Sequence, residues 1–371
     1  MARAAASDLA FEAPGDEVAR EIRGAVAEWF HHEQRDLPWR RTSDPYAVWI
    51  SEAMLQQTRV EVVLDYWPRF LRAFPDVRAL ARATDEAVLE AWSGLGYYRR
   101  ARALQAAARV IDEEHGGVFP TDLDEVLALP GVGPYTAGAV LSIALDLPEP
   151  IVDGNVERVF ARLFHLDGVR GSGPLMRAAW SAARYFVARE EDRVPPRVWN
   201  QALMELGALV CTPRGPRCGS CPVGQWCAGR AAGVADELPR PKPRRPPVEV
   251  RLETYLAERD GRWLVVQRPD EGLMAGMWEF PTVEVEGPGL FQDELAGGLG
   301  DRLEPAEELT TMRHGITKHR ITVSVRRATC TDPGSQSARW LEAPELRELA
   351  LTGMARKLAE RLDAWESGLG A

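Results

Sequence analysis

The sequence predicts two domains, a larger all-α domain followed by a smaller α+β domain. Residues 238–247 read LPRPKPRRPP and contain five prolines, so this run cannot form a helix or a central strand and predicts an extended linker. The chain before the linker shows helical periodicity or strong helix formers, whereas the chain after it carries β-rich runs. We therefore place the two domains at residues 1–237 and 248–371.

Helical segments fill the first predicted domain. They are expected at residues 18–30, 45–67, 87–92, 100–113, 123–129, 135–145, 156–166, 175–188 and 199–209. In the second domain, strands are expected at 250–257, 263–268 and 321–329, and a helix at 344–362. The first two of these strands flank Arg-Asp-Gly-Arg, which is a hairpin signal.

Composition and charge exclude several classes of protein. The 371 residues are 45% apolar and 27% charged, as in an ordinary globular protein, so disorder throughout is excluded. No run approaches the roughly 18 apolar residues of a membrane span, and the N-terminus lacks the apolar core of a secretory signal. We expect a cytoplasmic protein without a membrane partner. The net charge of -10 argues against indiscriminate coating of nucleic acid but leaves a local basic surface open.

Four of the five cysteines lie within seventeen residues, in the pattern Cys211-x6-Cys218-x2-Cys221-x5-Cys227. Disulfides fit a secreted protein and not this one. Zinc normally takes two close pairs separated by a longer finger, whereas an iron–sulfur cluster is ligated by thiolates alone. We expect a 4Fe–4S cluster here, with zinc as the alternative.

The run LPGVGPYTAG at 129–138 separates two predicted helices. Gly131 and Gly133 permit a tight turn that exposes amide N–H groups at the start of the next helix, where an anion such as phosphate is favoured. This is typical of a helix–hairpin–helix, although a plain helix–helix connection remains open. The run GLGYYRRAR at 94–102 interleaves aromatic residues with arginines, which suits stacking on bases or equally a solvated helix start.

Two carboxylates stand out. Glu52 falls in the apolar arc of its predicted helix, and burial there would raise its pKa and keep it protonated near neutrality, as a general acid requires. A hydrogen-bonded or snorkelling core glutamate is the alternative. Asp153 lies in VDGNV at 152–156, just before a helical run, and alone it reads as a helix N-cap.

Together these motifs resemble the MutY-type adenine DNA glycosylases, members of the helix–hairpin–helix superfamily that includes endonuclease III. The run SEAMLQQT at 51–58, the LPGVG hairpin, VDGNV and the cysteine run occur in the order and spacing of that family. The resemblance covers residues 20–230 strongly and 248–365 more weakly. It implies an all-α helix–hairpin–helix glycosylase domain with an iron–sulfur cluster loop, followed by a small α+β domain like MutT, with a Nudix fold.

The resemblance also implies roles for individual residues. Glu52 matches the general acid that protonates adenine, and Asp153 matches the carboxylate that stabilises the oxocarbenium-like sugar. Tyr135 and Asn155 match residues near the reacting sugar. The residues expected to line the pocket for an extruded adenine are Arg35, Trp39, Arg40 and Gln201. Those expected to enter the duplex are Leu55, Gln57 and Tyr97.

Lysine is absent from the chain before Lys242. Bifunctional relatives carry a Schiff-base lysine just after the hairpin, where this chain has Tyr135. The resemblance therefore implies a monofunctional, monomeric base excision repair glycosylase acting on double-stranded DNA that contains adenine opposite 8-oxoguanine or guanine. The alternatives are an endonuclease III-like enzyme for pyrimidine lesions and a non-catalytic iron–sulfur DNA-binding protein.

The second domain departs from the family in one loop and from Nudix hydrolases in one helix. After MWEFP at 277–281 the sequence lacks the acidic helix that holds magnesium, so we expect binding rather than hydrolysis. A Phe-Ser-His loop reads 8-oxoguanine in the best-known members, and the corresponding place here is Ile316-Thr317-Lys318. Thr317, Lys318 and the neighbouring His319 are the candidate readers of the lesion.

Overall fold

The computed structural model describes residues 9–187, 194–243, 246–269, 272, 274–289, 299, 302–316, 318–334 and 337–362. The chain forms two compact units. The first comprises Met1–Ala83 and Ala103–Pro243, and the second comprises Thr84–Arg102 and Arg244–Ala371. The domain boundaries that the Pro-rich run suggests stay a prediction.

Twelve α-helices precede the first strand in the described residues. They are α1 (Asp16–Glu33), α2 (Pro45–Leu55), α3 (Val60–Ala73), α4 (Val77–Arg82), α5 (Asp85–Ala91), α6 (Arg99–Glu114), α7 (Leu123–Ala128), α8 (Pro134–Leu145), α9 (Gly154–Leu163), α10 (Gly173–Val187), α11 (Pro196–Leu209) and α12 (Ala228–Ala231). Short 3-10 turns lie at Pro38–Arg40 and Cys218–Ser220. Asp44, Asp76 and Asp122 cap helices by accepting a hydrogen bond from a backbone N–H of the first turn.

The single helix predicted over 45–67 is wrong, because the structure has two helices there. Helix α2 ends at Leu55, and Gln57 takes a left-handed φ of 56°, which interrupts the helical hydrogen bonding. Helix α3 then begins at Val60. The run from 51 to 58 contains no glycine or proline to mark the break. The predicted helix over 344–362 is likewise two helices, α13 (Ala343–Glu348) and α14 (Gly353–Ala359), and the hydroxyl of Thr352 caps the second.

Helices α2, α8, α9 and α11 form the centre of the first unit. Almost every residue of α2 and α8 is buried, so both helices are apolar all round rather than amphipathic. Helix α11 approaches the start of α9 closely at Gly207, where a Cβ atom would lie 2.6 Å from the Cβ of Asn155. This glycine therefore permits the close packing that brings α11 beside the N-terminus of α9.

The described residues of the second unit form a mixed seven-stranded sheet. Its strands are β1 (Val248–Arg259), β2 (Arg262–Gln267), β3 (Trp278–Glu279), β4 (Thr282–Glu286), β5 (Leu303–Ile316), β6 (His319–Cys330) and β7 (Ala338–Glu342). The order is β3-β2-β1-β6-β5, with β4 on β1 and β7 on β2. Strands β1 and β6 are parallel, and the predicted β1–β2 hairpin turns at Asp260 and Gly261, which both have positive φ. Leu346, Met354 and Leu358 of α13 and α14 pack in the core on one face of this sheet.

Candidate active site

A cavity of about 660 Å³ lies in the first unit, among α2, α8, α9 and α11. The predicted site residues that line it are Glu52, Asp153, Tyr135, Asn155, Arg35, Trp39, Arg40, Leu55, Gln57 and Gln201. The break after α2 places Leu55 and Gln57 on the cavity wall instead of on a continuous helix. Ten residues that are dispersed over some 170 positions of sequence thus share one cavity.

Glu52 is an acid buried in the wall of this cavity. Its side chain sits on α2 among apolar neighbours, and the residue is 5% exposed. Burial raises the pKa of Glu52 to about 7, and the nearby negative charge of Asp153 contributes in the same direction. The hydrogen bond from Tyr135 and the positive charge of Arg40 oppose this rise. Glu52 therefore holds a proton near neutral pH in a cavity wide enough for a ligand.

Tyr135 orients the Glu52 carboxyl group. It belongs to the first turn of α8, directly after the hairpin, and its hydroxyl donates to Glu52 Oε2 at 2.6 Å. The same hydroxyl lies 3.3 Å from Met204 Sδ. Burial raises the pKa of Tyr135 well above its ordinary value, so the phenol stays neutral and remains a donor. Because one carboxyl oxygen of Glu52 is bound in this way, the other can face a ligand.

Asp153 is held as a hydrogen-bond acceptor at the start of α9. Its Oδ1 accepts from the backbone N–H groups of Asn155 at 2.9 Å and Val156 at 2.7 Å, and its Oδ2 accepts from Asn155 Nδ2 at 2.9 Å. Burial raises the pKa of Asp153, while these three hydrogen bonds act in the opposite direction. The N-cap that the sequence suggests is present, and the same carboxylate lines the cavity. Asp153 can therefore be a helix N-cap and a carboxylate of the cavity at the same time.

Arg158 links Asn155, which donates to Asp153, with the cysteine loop. Its Nη2 donates to Asn155 Oδ1 at 2.9 Å, and its Nε donates to the carbonyl of Cys211 at 2.7 Å. One turn further along α9, Arg162 donates to the carbonyl of Thr212 at 2.7 Å and lies 3.4 Å from Cys211 Sγ. Both arginines are almost fully buried. Neither arginine was predicted to belong to the site, because each looks like an ordinary charged residue of an amphipathic helix.

Glu205 clamps two of the predicted pocket arginines. Its carboxylate accepts from Arg35 Nη2 at 2.6 Å and from Arg40 Nη2 at 2.9 Å, while Arg40 Nη1 also donates to the Arg35 carbonyl. The side chain is 1% exposed, and these partners lower the pKa of Glu205 to about 2 against the effect of burial. Sequence reasoning missed Glu205, which lies one helical turn after Gln201 on α11 and so shares its face.

The remaining predicted DNA contacts lie outside the cavity lining. Gly131 has a φ of 73°, and a Cβ there would lie 2.5 Å from the Cβ of Ala103, so the hairpin turn requires glycine. Gly133 precedes α8 directly. Tyr97 belongs to the second unit, is 47% exposed and has a left-handed φ of 50°.

The loop expected to read the lesion is the tip of the β5–β6 hairpin. Ile316 at the end of β5 pairs with His319 at the start of β6 in the strand register. Lys318 is exposed and His319 is half-buried. Thr317 lies outside the described residues.

The four clustered cysteines line a second cavity of the first unit. Cys211, Cys218, Cys221 and Cys227 share it with Arg162 and Arg230, and no disulfide joins them. Burial raises the pKa of Cys221 to about 11, so the thiols need a compensating cation to ionise. Four cysteines around one cavity, beside two arginines, are the donor set that an iron–sulfur cluster uses. As they stand, no three His, Cys, Asp or Glu side chains of the described part of the chain are arranged to hold a metal ion.

Comparison with known proteins identifies the family. Residues 50–184 match the model of the HhH-GPD superfamily of base excision DNA repair proteins, and residues 254–361 match a NUDIX domain. The chain is 35% identical over 403 residues to the adenine DNA glycosylase of Rattus norvegicus, covering 91% of this chain and 77% of the relative. It is 44% identical over 215 residues to that of Mycobacterium tuberculosis, covering 57% and 69%. The chain belongs to the adenine DNA glycosylase family.

A solved structure has a fold similar to that of more than half of the chain. A thermostable thymine-DNA glycosylase is 27% identical and superposes with a TM-score of 0.52, covering 58% of this chain and 98% of that one. The predicted family, the fold class and the enzyme class of DNA glycosylase are therefore confirmed. Among the described helices, none combines the length and apolar character needed to span a bilayer.

Proposed function

We propose that this adenine DNA glycosylase is monofunctional and removes adenine mispaired with 8-oxoguanine or guanine in double-stranded DNA, as part of base excision repair. The observation that carries the proposal is the buried, protonatable Glu52 in one cavity with the hydrogen-bonded Asp153. Two carboxyl groups in contrasting environments are the arrangement that hydrolysis of a glycosidic bond requires.

Glu52 acts as the general acid. Loss of adenine breaks the bond between C1′ and N9, and the bonding electrons move into the adenine ring. The Glu52 carboxyl donates its proton to a ring nitrogen, so the base leaves as a neutral molecule. Tyr135 holds Glu52 Oε2 at 2.6 Å and thereby fixes which oxygen faces the base. A pKa of about 7 gives an acid that is half protonated at neutral pH and still strong enough to give the proton away.

Asp153 stabilises the sugar that the departing base leaves behind. The oxocarbenium-like sugar carries positive charge, and the three donors at Asp153 fix its carboxylate and oppose the rise in its pKa that burial causes. Water then adds to C1′ and produces an abasic site. Asn155 acts by positioning Asp153, because its own oxygen is held by Arg158.

The rest of the cavity accommodates the extruded adenine. Trp39 offers a flat apolar surface, and Arg40, Arg35 and Gln201 offer polar groups to the edge of the base. Because Glu205 fixes both guanidinium groups, little rotamer entropy is lost when the base binds. Leu55 and Gln57 on the α2–α3 break, with Tyr97, enter the duplex where the base has left.

Cys211, Cys218, Cys221 and Cys227 hold a 4Fe–4S cluster in this proposal. When bound, the cluster would cross-link the loop 211–227 through four cysteine thiolates. Arg158 and Arg162 hold the backbone of Cys211 and Thr212 in place from α9. In the second unit, Thr317, Lys318 and His319 contact the base opposite the adenine.

The test measures base release from duplexes with adenine opposite 8-oxoguanine, guanine or thymine, and from a duplex with an oxidised pyrimidine. The wild-type chain should release adenine from the first two only. Glu52→Gln should lower the rate about 10²–10⁴-fold and keep duplex binding, because the amide keeps the shape but has no proton to give. Glu28→Gln on the exposed face of α1 is the matched control and should be fully active.

Release of the oxidised pyrimidine with adenine retained would favour the endonuclease III-like alternative. Binding without release of any base would favour a non-catalytic DNA-binding protein. Normal adenine release by Glu52→Gln would remove Glu52 from the role of general acid.

A further inference from the structure

The start of the Pro-rich run is part of the first unit and is bound to the loop between α9 and α10. Arg240 pairs with Val169 as an isolated parallel bridge, in which Arg170 N donates to the Arg240 carbonyl at 2.8 Å and Arg240 N donates to the Gly168 carbonyl at 2.9 Å. The Arg240 guanidinium also binds both carboxylate oxygens of Asp167. We call residues 238–243 the strap.

The strap places Arg170 at the edge of the active-site cavity. Arg170 is exposed and lines the cavity beside Asp153, and a Cβ added to Gly154 would lie 3.1 Å from its Nη2. The guanidinium thus rests over the glycine that directly follows the catalytic carboxylate. A side chain at 154 would push it away.

Lys242 of the strap reaches the same loop. A Cβ added to Gly171, which has a φ of 63°, would lie 3.0 Å from Lys242 Nζ. Lys242 Nζ thus lies beside the residue that follows Arg170 in the chain, while the Arg170 guanidinium lies beside Gly154. Neither forms a hydrogen bond or an ion pair with another side chain that the structure describes.

The acidic groups of the loop are already bound elsewhere. Asp167 is paired with Arg240, and its pKa is lowered by that hydrogen-bonded arginine. Glu157 is buried and accepts a hydrogen bond from Gly171 N. Arg170 and Lys242 therefore make the edge of the cavity positively charged, whereas its interior carries the carboxyl groups of Glu52 and Asp153. A ligand that suits this cavity carries an anionic group at the edge and a neutral or cationic group in the interior. A nucleotide whose phosphate lies at the edge and whose sugar faces Asp153 has this distribution of charge.

We infer that Arg170 and Lys242 bind a backbone phosphate next to the extruded nucleotide, and that the strap holds them there. The inference rests on the proposed function and adds a binding site to it. Arginine suits this task because its planar fork can hold two phosphate oxygens, and Lys242 adds a point charge. The contact forms fully only when the nucleotide has entered the cavity, so it favours the extruded state over the stacked one.

The magnitude follows from counterion release. Each phosphate contact contributes about 0.9 to the slope of log K against log salt, which at 0.15 M salt corresponds to about 5-fold in affinity. Because both cations bind one phosphate, the double variant Arg170→Ala/Lys242→Ala should weaken binding about 5-fold and lower the slope by about 0.9. Arg170→Ala and Lys242→Ala should each cause part of that loss.

The experiment uses the full chain and two duplexes of equal length. One carries 2′-fluoro-2′-deoxyadenosine opposite 8-oxoguanine, which resists base release, and the other is fully paired. Binding is measured by fluorescence anisotropy from 50 to 300 mM salt. Arg20→Ala removes the same charge from the exposed face of α1, away from the cavity, and should change neither affinity nor slope by more than the measurement error. Arg170→Lys should keep the slope and recover part of the affinity.

The inference is supported if Arg170→Ala and Lys242→Ala weaken binding to the mispaired duplex selectively. An unchanged salt slope for both variants would overturn it, and so would an equal loss on both duplexes, which would indicate a general surface contact. A wild-type chain that releases no adenine would instead contradict the proposed function, and that result is read from the base-release assay alone.

Discussion

The burial that raises the pKa of Glu52 should also lower the free energy of unfolding of the protein. Its pKa rises from an ordinary 4.5 to about 7 on folding, because the charged form loses its hydration. Between these two values the folded state binds a proton that the unfolded state has lost. Stability therefore falls as the pH rises through this interval and stays low above it.

The size of this effect follows from the shift itself. About 2.5 pH units at about 1.4 kcal/mol per unit give roughly 3 kcal/mol of unfolding free energy lost between pH 4.5 and pH 7. Glutamine has no such titration, and its Oε1 can still accept the hydrogen bond from Tyr135. Glu52→Gln should therefore gain stability relative to wild type as the pH rises, by about 3 kcal/mol at pH 8.

Glu205 supplies a control of opposite sign. Two arginines lower its pKa to about 2, below the unfolded value of 4.5, so its carboxylate stabilises the folded state fully above pH 4.5. That stability is lost only as the pH falls from 4.5 towards 2. Glu205→Gln should be less stable than wild type at pH 7, and the difference should stay constant from pH 5 to pH 8.

The assay is thermal unfolding of wild type, Glu52→Gln and Glu205→Gln at half-unit steps from pH 5 to pH 8.5. For a unit of this size 3 kcal/mol corresponds to roughly 6–12 °C in Tm. The difference between Glu52→Gln and wild type should grow from pH 5 to about pH 7 and then level off, while the difference for Glu205→Gln should stay constant. A constant difference for Glu52→Gln would show that Glu52 titrates at its ordinary pKa, and the reasoning from burial to general acid would fail.

Four further predictions concern activity and the cysteine loop. Base release should fall about tenfold per pH unit above pH 7, because Glu52 loses its proton there, as a pH–rate profile will show. Cys211→Ser should reduce iron below the roughly four atoms per chain expected by metal analysis, and zinc without iron would refute the cluster. Arg158→Ala should lower stability by about 1–3 kcal/mol for each buried carbonyl left unpaired. Lys318→Ala and His319→Ala should change the ratio of rates on 8-oxoguanine and guanine duplexes, whereas phosphate contacts would leave it fixed.

The sequence pattern predicted where helices form better than it predicted where they are interrupted. Gly131 and Gly133 mark the hairpin because a tight turn needs residues without a side chain, and the structure has the turn there. The break after Leu55 carries no such mark, since Gln57 adopts its left-handed φ in a run without glycine or proline. That conformation depends on how α2 and α3 pack in the folded unit, which no local pattern encodes.

The hydrogen-bond partners of the site residues could not be predicted from the sequence either. An apolar arc was enough to suggest that Glu52 is buried, but its hydrogen bond to Tyr135 joins positions 83 residues apart. Glu205 and Arg158 were missed because each looks like an ordinary charged residue on an amphipathic helix. Only tertiary contacts show that one fixes two arginines and the other spans from Asn155 to Cys211.

Glu52 and Asp153 are both buried, but they differ in the number of hydrogen bonds that their carboxyl groups accept. Both lie in one cavity, and burial raises the pKa of each. Glu52 receives one hydrogen bond, from a phenol that itself stays neutral, whereas Asp153 receives two backbone N–H groups and an amide. Three hydrogen-bond donors stabilise the charged form of Asp153. When the two carboxyl groups share one proton, we therefore expect that proton on Glu52. The proposed roles of general acid for Glu52 and of electrostatic stabiliser for Asp153 therefore follow from how many hydrogen-bond donors the chain supplies to each carboxyl group.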